Sequence, residues 1–268
     1  MKLTTWNINS VRLRLPLLAK LIKTVSPDVI CLQETKVPDD LFPKSDIQSL
    51  GYPHVFYRGM KGYNGVAILS RLPLSKKMSL DWCGRKDCRH LSAKLPNGVE
   101  LHNFYVPSGG DVPNPKENDK FAHKLRFLDE ITDWFQTSRT PQQGMILVGD
   151  LNIAPLETDV WSHKQLLKVV SHTPVEVEKL QAVQGAVESV DAVRQYIPES
   201  ESLYAWWSYR ARDWSKSDRG RRLDHIWVTP PLAEQIKSVA VLRNVRGWDR
   251  ASDHVPVILE LGVDGQAS

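Results

Sequence analysis

The sequence predicts an α/β fold in which strands and helices are mixed along the chain. The stretch MILVGDLN is typical of a buried strand, whereas residues 116–137 carry apolar side chains at helical spacing. Turn sequences such as LPNG, at residues 95–98, favour antiparallel pairing of some strands as well. We therefore expect two sheets covered by helices, and the pattern leaves the strand order open.

The elements follow one another in short segments. KLTTWNI alternates as a strand does, and LRLPLLAKLIKTV has helical spacing with Pro16 in its first turn. PDVICLQE and GVAILS are predicted buried strands, and VELHNFYVP is a third, with Asn103 and Tyr105 on one face. MILVGDLN follows the long helix, LDHIWVT and VPVILEL are late strands, and residues 156–200 are predicted to be helix and loop.

The composition permits a large core and excludes several classes of protein. The 268 residues are 41% hydrophobic and 25% charged, and the net charge of +4 permits an anionic partner without requiring one. Three cysteines without dense spacing argue against a disulfide framework or a zinc site. Because we find neither a signal peptide nor an apolar stretch of about 18 residues, we predict a cytoplasmic protein that does not bind membranes. The length permits one large domain or two small ones, and we expect a tail over residues 263–268.

Six strand-like segments carry an acid, amide, phenol or imidazole at or near one end. These residues are Asn7, Glu34, Asn103 with Tyr105, Asp150 with Asn152, Asp224, and Asp253 with His254. Side chains two apart on a strand share a face, so Asp150 and Asn152 point the same way. Polar residues are common where single strands end, but acids beside apolar strands are costly unless they are paired or bound to metal. The whole set therefore favours one shared site.

The residue types in this set favour metal-assisted hydrolysis of a phosphoester. Carboxylate and amide oxygens are hard ligands, which favour Mg²⁺ or Mn²⁺ over zinc. His254 is the candidate for proton transfer or for stabilising negative charge, and an acid from another strand could orient its ring. Three alternatives stay open on the pattern alone. Asp224 could pair with Arg222, Asn7 could be a turn residue, and Tyr105 could be a core tyrosine.

Basic and aromatic side chains interleave in LYAWWSYRARDWSKSDRGRRLDH, residues 203–225. Cations bind phosphates and flat rings fill gaps in a base stack, so the composition favours a nucleic-acid surface. The alternative is a core tryptophan pair beside a solvated loop. Because Trp206 and Trp207 alternate on a strand, we expect one of them to be core.

Seven motifs together resemble one known family. TWNINSVRLR, PDVICLQETKVPDDLFP, GYNGVAILSR, NFYVPSG, GDLNIAP, RRLDHIWV and SDHVPV occur in that order, from Met1 to about Leu261. They resemble the exonuclease III class of apurinic/apyrimidinic endonucleases, within the endonuclease/exonuclease/phosphatase superfamily. The resemblance implies a four-layer α/β sandwich, with two mixed β-sheets packed face to face and flanked by helices. It makes residues 1–262 a single catalytic domain.

The resemblance also implies an activity, a cofactor and a partner. The activity is base-excision repair: cleavage of duplex DNA 5′ to an abasic site, with 3′-phosphodiesterase and 3′→5′ exonuclease activity on blocked 3′ ends. The cofactor is Mg²⁺, with Mn²⁺ as a substitute and no organic cofactor, and we expect a monomer. The alternatives are a phosphatase or RNA-directed phosphodiesterase of the same superfamily, and a non-catalytic DNA-binding module.

The resemblance assigns the metal and the attacking water to the strand-end residues. Glu34 matches the main metal ligand, and Asn7 lies beside it. Asp150 and Asn152 match the pair that holds the water, and we include both among the candidate metal ligands. Asp253 is predicted to lie near the metal.

Three further residues match groups at the scissile phosphate. His254 matches the histidine that contacts this phosphate, and Asp224 is the acid that would orient its ring. Tyr105 matches a tyrosine that is hydrogen-bonded there.

Five residues are candidate DNA contacts. Trp206 and Leu223 match apolar walls of a pocket that receives a flipped-out abasic sugar. Arg221 falls where relatives usually carry an apolar or tryptophan side chain, which would change the balance between abasic-site incision and 3′-end trimming. Lys36 and Arg89 are candidate phosphate contacts.

Overall fold

The computed structural model describes residues 1–262, so the predicted tail over residues 263–268 lies outside the described residues. The strands are β1 (Lys2–Asn7), β2 (Val29–Gln33), β3 (His54–Arg58), β4 (Val66–Ser70), β5 (Ser75–Met78), β6 (His90–Lys94), β7 (Glu100–Tyr105), β8 (Met145–Asp150), β9 (Val190–Asp191), β10 (Trp206–Trp207), β11 (Gly220–Arg221), β12 (Asp224–Val228), β13 (Ile236–Val241) and β14 (Val257–Leu261). The helices are α1 (Leu15–Val25), α2 (Lys44–Ser49), α3 (Asp119–Ser138), α4 (His163–Leu166), α5 (Pro174–Gly185), α6 (Trp214–Ser217) and α7 (Pro230–Ala233). Within residues 1–262, no helix is long and apolar enough to span a membrane.

Twelve of these strands form two six-stranded sheets. The first sheet has the order β13-β14-β1-β2-β4-β3, and the second has the order β5-β6-β7-β8-β12-β9. Each sheet contains one parallel pair, β1 with β2 and β7 with β8, among antiparallel neighbours. The predicted mixed sheets are therefore confirmed, and the LPNG turn joins β6 to β7 as expected.

The main core lies between the two sheets, and a second apolar layer lies under the helices. Trp6 of the first sheet and Ile226 of the second are fully buried in the main core. Alternate residues of the second sheet point the other way, and Phe104 packs there against Phe127 and Phe135 of α3. This arrangement confirms the predicted four-layer sandwich, in which burial of apolar area supplies most of the driving force for folding.

Strand register brings three predicted site residues, Tyr105, Asp150 and Asp224, together at the ends of neighbouring strands of the second sheet. Asp150 pairs with Tyr105 of the parallel neighbour β7 and with Asp224 of the antiparallel neighbour β12. The preceding Gly149 has φ 142°, and a Cβ atom there would lie 1.9 Å from the carbonyl oxygen of Phe104. Only glycine therefore permits this close approach of β7 and β8 beside the acid.

Candidate active site

Asp150 lies at the centre of the site, at the end of β8, and is only 1% exposed. The Nδ2 atom of Asn7 donates a hydrogen bond to its Oδ2 atom at 2.8 Å, and the Nε2 atom of His254 lies 3.6 Å from the same oxygen. Burial, only partly offset by His254 and reinforced by the acids Asp224 and Glu34, raises the pKa of Asp150 to about 7. A carboxyl group with this pKa can accept a proton near neutral pH.

His254 is held by Asp224, as predicted for an oriented histidine. The Nδ1 atom of His254 lies 2.7 Å from the Oδ2 atom of Asp224, and both side chains are buried. Burial disfavours the charged ring, but the carboxylates of Asp224 and Asp150 outweigh it and raise the pKa of His254 to about 10. Arg222 pairs with two other acids, so the alternative pairing of Asp224 with Arg222 is wrong.

Glu34 follows β2 and faces Asp150 through a shared amide. Asn7 donates through Nδ2 to the Oε1 atom of Glu34 at 2.9 Å as well as to Asp150, so this amide bridges the two acids. The Tyr105 hydroxyl donates to the same Oε1 atom at 2.9 Å, and Lys36 Nζ lies 2.7 Å from Oε2. Burial opposes the charge, but Lys36 and Asn7 hold the pKa of Glu34 below its usual value.

These groups fit a divalent cation of the hard type. Ligand atoms of Glu34, Asp150 and His254 all lie within 4.8 Å of one another. Because the raised pKa of His254 keeps its ring protonated, the donors left for a cation are carboxylate oxygens, the type that Mg²⁺ and Mn²⁺ prefer.

The other predicted ligands surround this pair of acids but already have partners. Both carboxylate oxygens of Asp253 accept hydrogen bonds, from Asn9 Nδ2 at 3.0 Å and from Trp206 Nε1 at 3.0 Å. The Asn7 Nδ2 atom donates to the acids, whereas the Asn152 Nδ2 atom donates to a backbone carbonyl. The ligand roles of Asp253, Asn7 and Asn152 therefore stay predictions.

Asn152 sits in a left-handed turn that a buried lysine supports. Its φ is 54°, and its backbone N–H donates to the Oδ1 atom of Asp150 at 3.0 Å. Lys124 Nζ donates to the Asn152 carbonyl at 2.8 Å and pairs with Glu176, and both side chains of this ion pair are fully buried. No motif in the sequence indicates Lys124; its one signal is its position three residues after Phe121 on the apolar face of the predicted helix.

Asn103 and Tyr105 share one face of β7 but have different surroundings. Asn103 lies between the sheets, where its Nδ2 atom donates to the carbonyls of Leu32 and Ala67 at 3.0 Å each. It shares a strand with Tyr105, but it belongs to the core and lies apart from the site. Tyr105 is buried in the main core and its hydroxyl donates to Glu34, so the structure fits a core tyrosine with a satisfied hydroxyl as well as a site residue, and the role of Tyr105 at the phosphate stays a prediction.

The predicted DNA-contact residues divide into two groups. Trp206, Arg221 and Leu223 line a cavity of about 710 Å³ that opens onto Glu34, Asp150 and His254. Lys36 pairs with Glu34, and Arg89 pairs with Asp87 while its guanidinium lies 4.9 Å from the ring centroid of Tyr105. Trp207 is buried and Trp206 is half-buried, which confirms that one tryptophan of the pair is core.

Comparison with known proteins identifies the family of this chain. Residues 4–254 match the endonuclease/exonuclease/phosphatase family. The chain belongs to this family. The exodeoxyribonuclease III of Haemophilus influenzae is 30% identical to it over 97% of this chain and 99% of the relative, which places the chain in the exonuclease III class. The family membership confirms the predicted resemblance and the prediction of a nuclease.

Two solved structures share the whole fold. An AP endonuclease from Archaeoglobus fulgidus superposes with a TM-score of 0.92 at 31% identity, covering 98% of this chain and 100% of that one. The 3′ phosphatase NExo from Neisseria, bound to a product DNA hairpin, gives 0.89 at 31% identity, covering 97% and 99%.

Proposed function

We propose that this nuclease of the exonuclease III class cleaves duplex DNA 5′ to an abasic site and removes blocked 3′ ends. The observation that carries this proposal is a row of three side chains, in which His254 lies between Asp224 and Asp150. This row lies beside Glu34, at the mouth of the cavity lined by Trp206. It joins a charged histidine to an acid that can take a proton. The homologous AP endonuclease and 3′ phosphatase support both halves of the proposal.

The chain's own residues divide the work of hydrolysis. Asp150 would accept a proton from the attacking water, and the turn at Asn152, whose N–H donates to Asp150, would hold that water beside it. His254 carries positive charge, so its Nε2–H can stabilise the charge that develops on a phosphate oxygen. Asp224 fixes the ring through Nδ1, and the Tyr105 hydroxyl, which donates to Glu34 in the absence of DNA, would be a second hydrogen-bond donor at the phosphate.

The carboxylates of Glu34 and Asp150 would hold the Mg²⁺ ion. When bound, such an ion neutralises phosphate charge and stabilises the leaving 3′ oxygen. Lys36 pairs with Glu34 and also donates to the Oδ1 atom of Asn9 at 2.6 Å, which places its ammonium beside this site, and its contact with the DNA backbone stays a prediction.

The test is cleavage of a duplex that contains one abasic site, with and without Mg²⁺, followed by end-group analysis. We expect a 3′-hydroxyl and a 5′-deoxyribose phosphate. RNA and inositol phosphates serve as competing substrates, and a preference for either would contradict the proposal. Tight binding of the duplex without any cleavage would instead favour a DNA-binding module. Sedimentation and cell fractionation test the proposed monomer and its cytoplasmic location.

A further inference from the structure

Arg221 lines the cavity and is anchored without an acidic partner. Its Nη1 atom donates to the Val170 carbonyl at 3.0 Å and to the Ser171 hydroxyl at 2.7 Å. The guanidinium carbon lies 5.4 Å from the ring centroid of Trp206, so the cation stacks on the aromatic wall. These contacts fix the position of the guanidinium, and the acid that acts on its charge from a distance, Glu176, already pairs with Lys124.

The neighbouring Arg222 shows what a compensated arginine looks like in this chain. Arg222 is buried and pairs with Asp159 and Asp191. Among residues 1–262, no carboxylate lies within 4.0 Å of Arg221, and neither its Nε nor its Nη2 atom has a hydrogen-bond partner there. A half-buried cation of this kind, facing an open cavity, favours an anion beside it.

Strand register places this cation on the same side of the molecule as the catalytic histidine. Trp206 pairs with Arg221 on one side and forms a bridge with His254 on the other, both antiparallel. Opposite residues of antiparallel neighbours share a face, and adjacent strands lie about 4.8 Å apart. Arg221 and His254 are therefore two strands apart and both face the cavity. A phosphate held at His254 can thus carry a short substituent that reaches the guanidinium.

We propose that Arg221 makes this cavity selective for a small anionic remnant on a DNA 3′ end, one in which a carboxylate follows the scissile phosphate. The 3′-phosphoglycolate left by oxidative strand breakage has this chemistry. The inference rests on the proposed function, because the scissile phosphate is placed at His254 and Asp150. A guanidinium binds a carboxylate through two parallel N–H donors, whereas a neutral abasic sugar offers no charge to pair with it.

The reaction is ordinary hydrolysis at phosphorus. The oxygen of water bonds to phosphorus, and the bond from phosphorus to the 3′ oxygen of DNA breaks. Asp150 takes the proton of water, and the departing 3′ oxygen is protonated to give a 3′-hydroxyl. The other product is free phosphoglycolate, and its carboxylate is unchanged throughout.

The experiment crosses two substrates with two enzymes. One nicked duplex carries a 3′-phosphoglycolate, and the matched duplex carries a 3′-phosphate esterified to 2-hydroxyethanol, which replaces the carboxylate by a neutral CH₂OH group. We measure kcat/KM for both with the wild-type enzyme and with Arg221→Leu. For each enzyme we take the ratio of kcat/KM for the anionic substrate to kcat/KM for the neutral one. This ratio should be about tenfold or more higher for the wild-type enzyme than for Arg221→Leu, which is the size expected for a charged hydrogen bond.

Two further variants keep the test decisive. Arg221→Lys retains the charge and should recover part of the ratio. Arg219→Leu removes a cation from the same cavity wall. It should lower kcat/KM for both substrates by the same factor and leave their ratio unchanged. An equal ratio in wild type and Arg221→Leu would overturn the inference. Loss of the proposed function would look different, because the wild-type enzyme would then cleave neither substrate in Mg²⁺.

Discussion

Strand β7 has a buried network of titratable side chains at each end, and only one of the two is balanced in charge. At its first residue, Glu100 accepts hydrogen bonds from His102 at 2.9 Å and from Arg139 at 2.9 and 2.7 Å. Burial opposes ionisation, yet these partners lower the pKa of Glu100 to about 2. At its last residue, Tyr105 enters the site where burial and neighbouring acids raise the pKa of Asp150 to about 7.

The two ends show why burial of an ionisable group does not by itself indicate function. Glu100 accepts three hydrogen bonds through Oε1, two of them from a cationic arginine, so it remains ionised and stabilises the fold. Asp150 is crowded by Asp224 and Glu34, so it is ready to take up a proton or a cation. Perturbed pKa values are common at functional sites, and here the direction of the shift separates the catalytic end from the structural end.

Asp150→Asn should have the largest effect and should act on activity alone. We expect a loss of at least about a thousandfold in kcat on the abasic duplex, because no other group at this position can take the proton of water. The melting temperature should stay equal or rise, since a crowded buried acid is removed. Steady-state kinetics and calorimetry measure the two effects. A variant that keeps a tenth of the wild-type rate would contradict the role of Asp150.

Glu100→Gln, at the other end of β7, should lower stability and leave activity unchanged. A carboxyl pKa lowered from 4.5 to about 2 corresponds to roughly 3 kcal/mol of stability at pH 7. Denaturation should show this loss, while kcat/KM on the abasic duplex stays unchanged.

The stability that Glu100 contributes should decrease as the pH falls. The stability contributed by a depressed carboxyl pKa is present above about pH 4.5 and disappears as the pH falls toward 2. The difference between wild type and Glu100→Gln should therefore shrink on acidification. A difference that is constant with pH would mean that packing, and not the charge, accounts for the loss.

The sequence predicted the catalytic end better than the structural end. Asp150, Asp224 and His254 follow or precede apolar strands, so alternation and residue type were enough to group them. Family resemblance then supplied their roles. The pairing of Glu100 with Arg139 joins the start of a strand to the end of a helix, and no local pattern encodes such a contact.

The same limit explains two other differences between sequence and structure. Asn103 looks like Tyr105 in the pattern because both lie on one face of β7, but depth within the sandwich separates them. Lys124 lies on the apolar face of α3, and its partner Glu176 comes from α5. A contact between two helices depends on how they pack, which the sequence pattern leaves open.

Glu34→Ala should lower activity less than Asp150→Asn and more than Tyr105→Phe. The variant removes one carboxylate from the predicted cation site, so we expect the Mg²⁺ concentration for half-maximal activity to rise by about tenfold or more. Saturating Mg²⁺ should restore part of the rate. Lys36→Met is the matched control, since it removes the ammonium paired with Glu34 and should leave the Mg²⁺ requirement equal or lower. An unaltered Mg²⁺ titration for Glu34→Ala would exclude the ligand role.

Tyr105→Phe should have the smallest effect, although it alters the catalytic end of the same strand. The variant removes one hydroxyl donor to Glu34, which Asn7 and Lys36 still contact. Burial and Glu34 raise the pKa of Tyr105 well above 10, so the hydroxyl is a donor at any working pH. Loss of one hydrogen bond of about 1 kcal/mol should lower kcat/KM roughly fivefold and leave the Mg²⁺ titration unchanged. A loss as large as that of Asp150→Asn would instead make the Tyr105 hydroxyl a participant in proton transfer, and would place two essential residues on neighbouring strands.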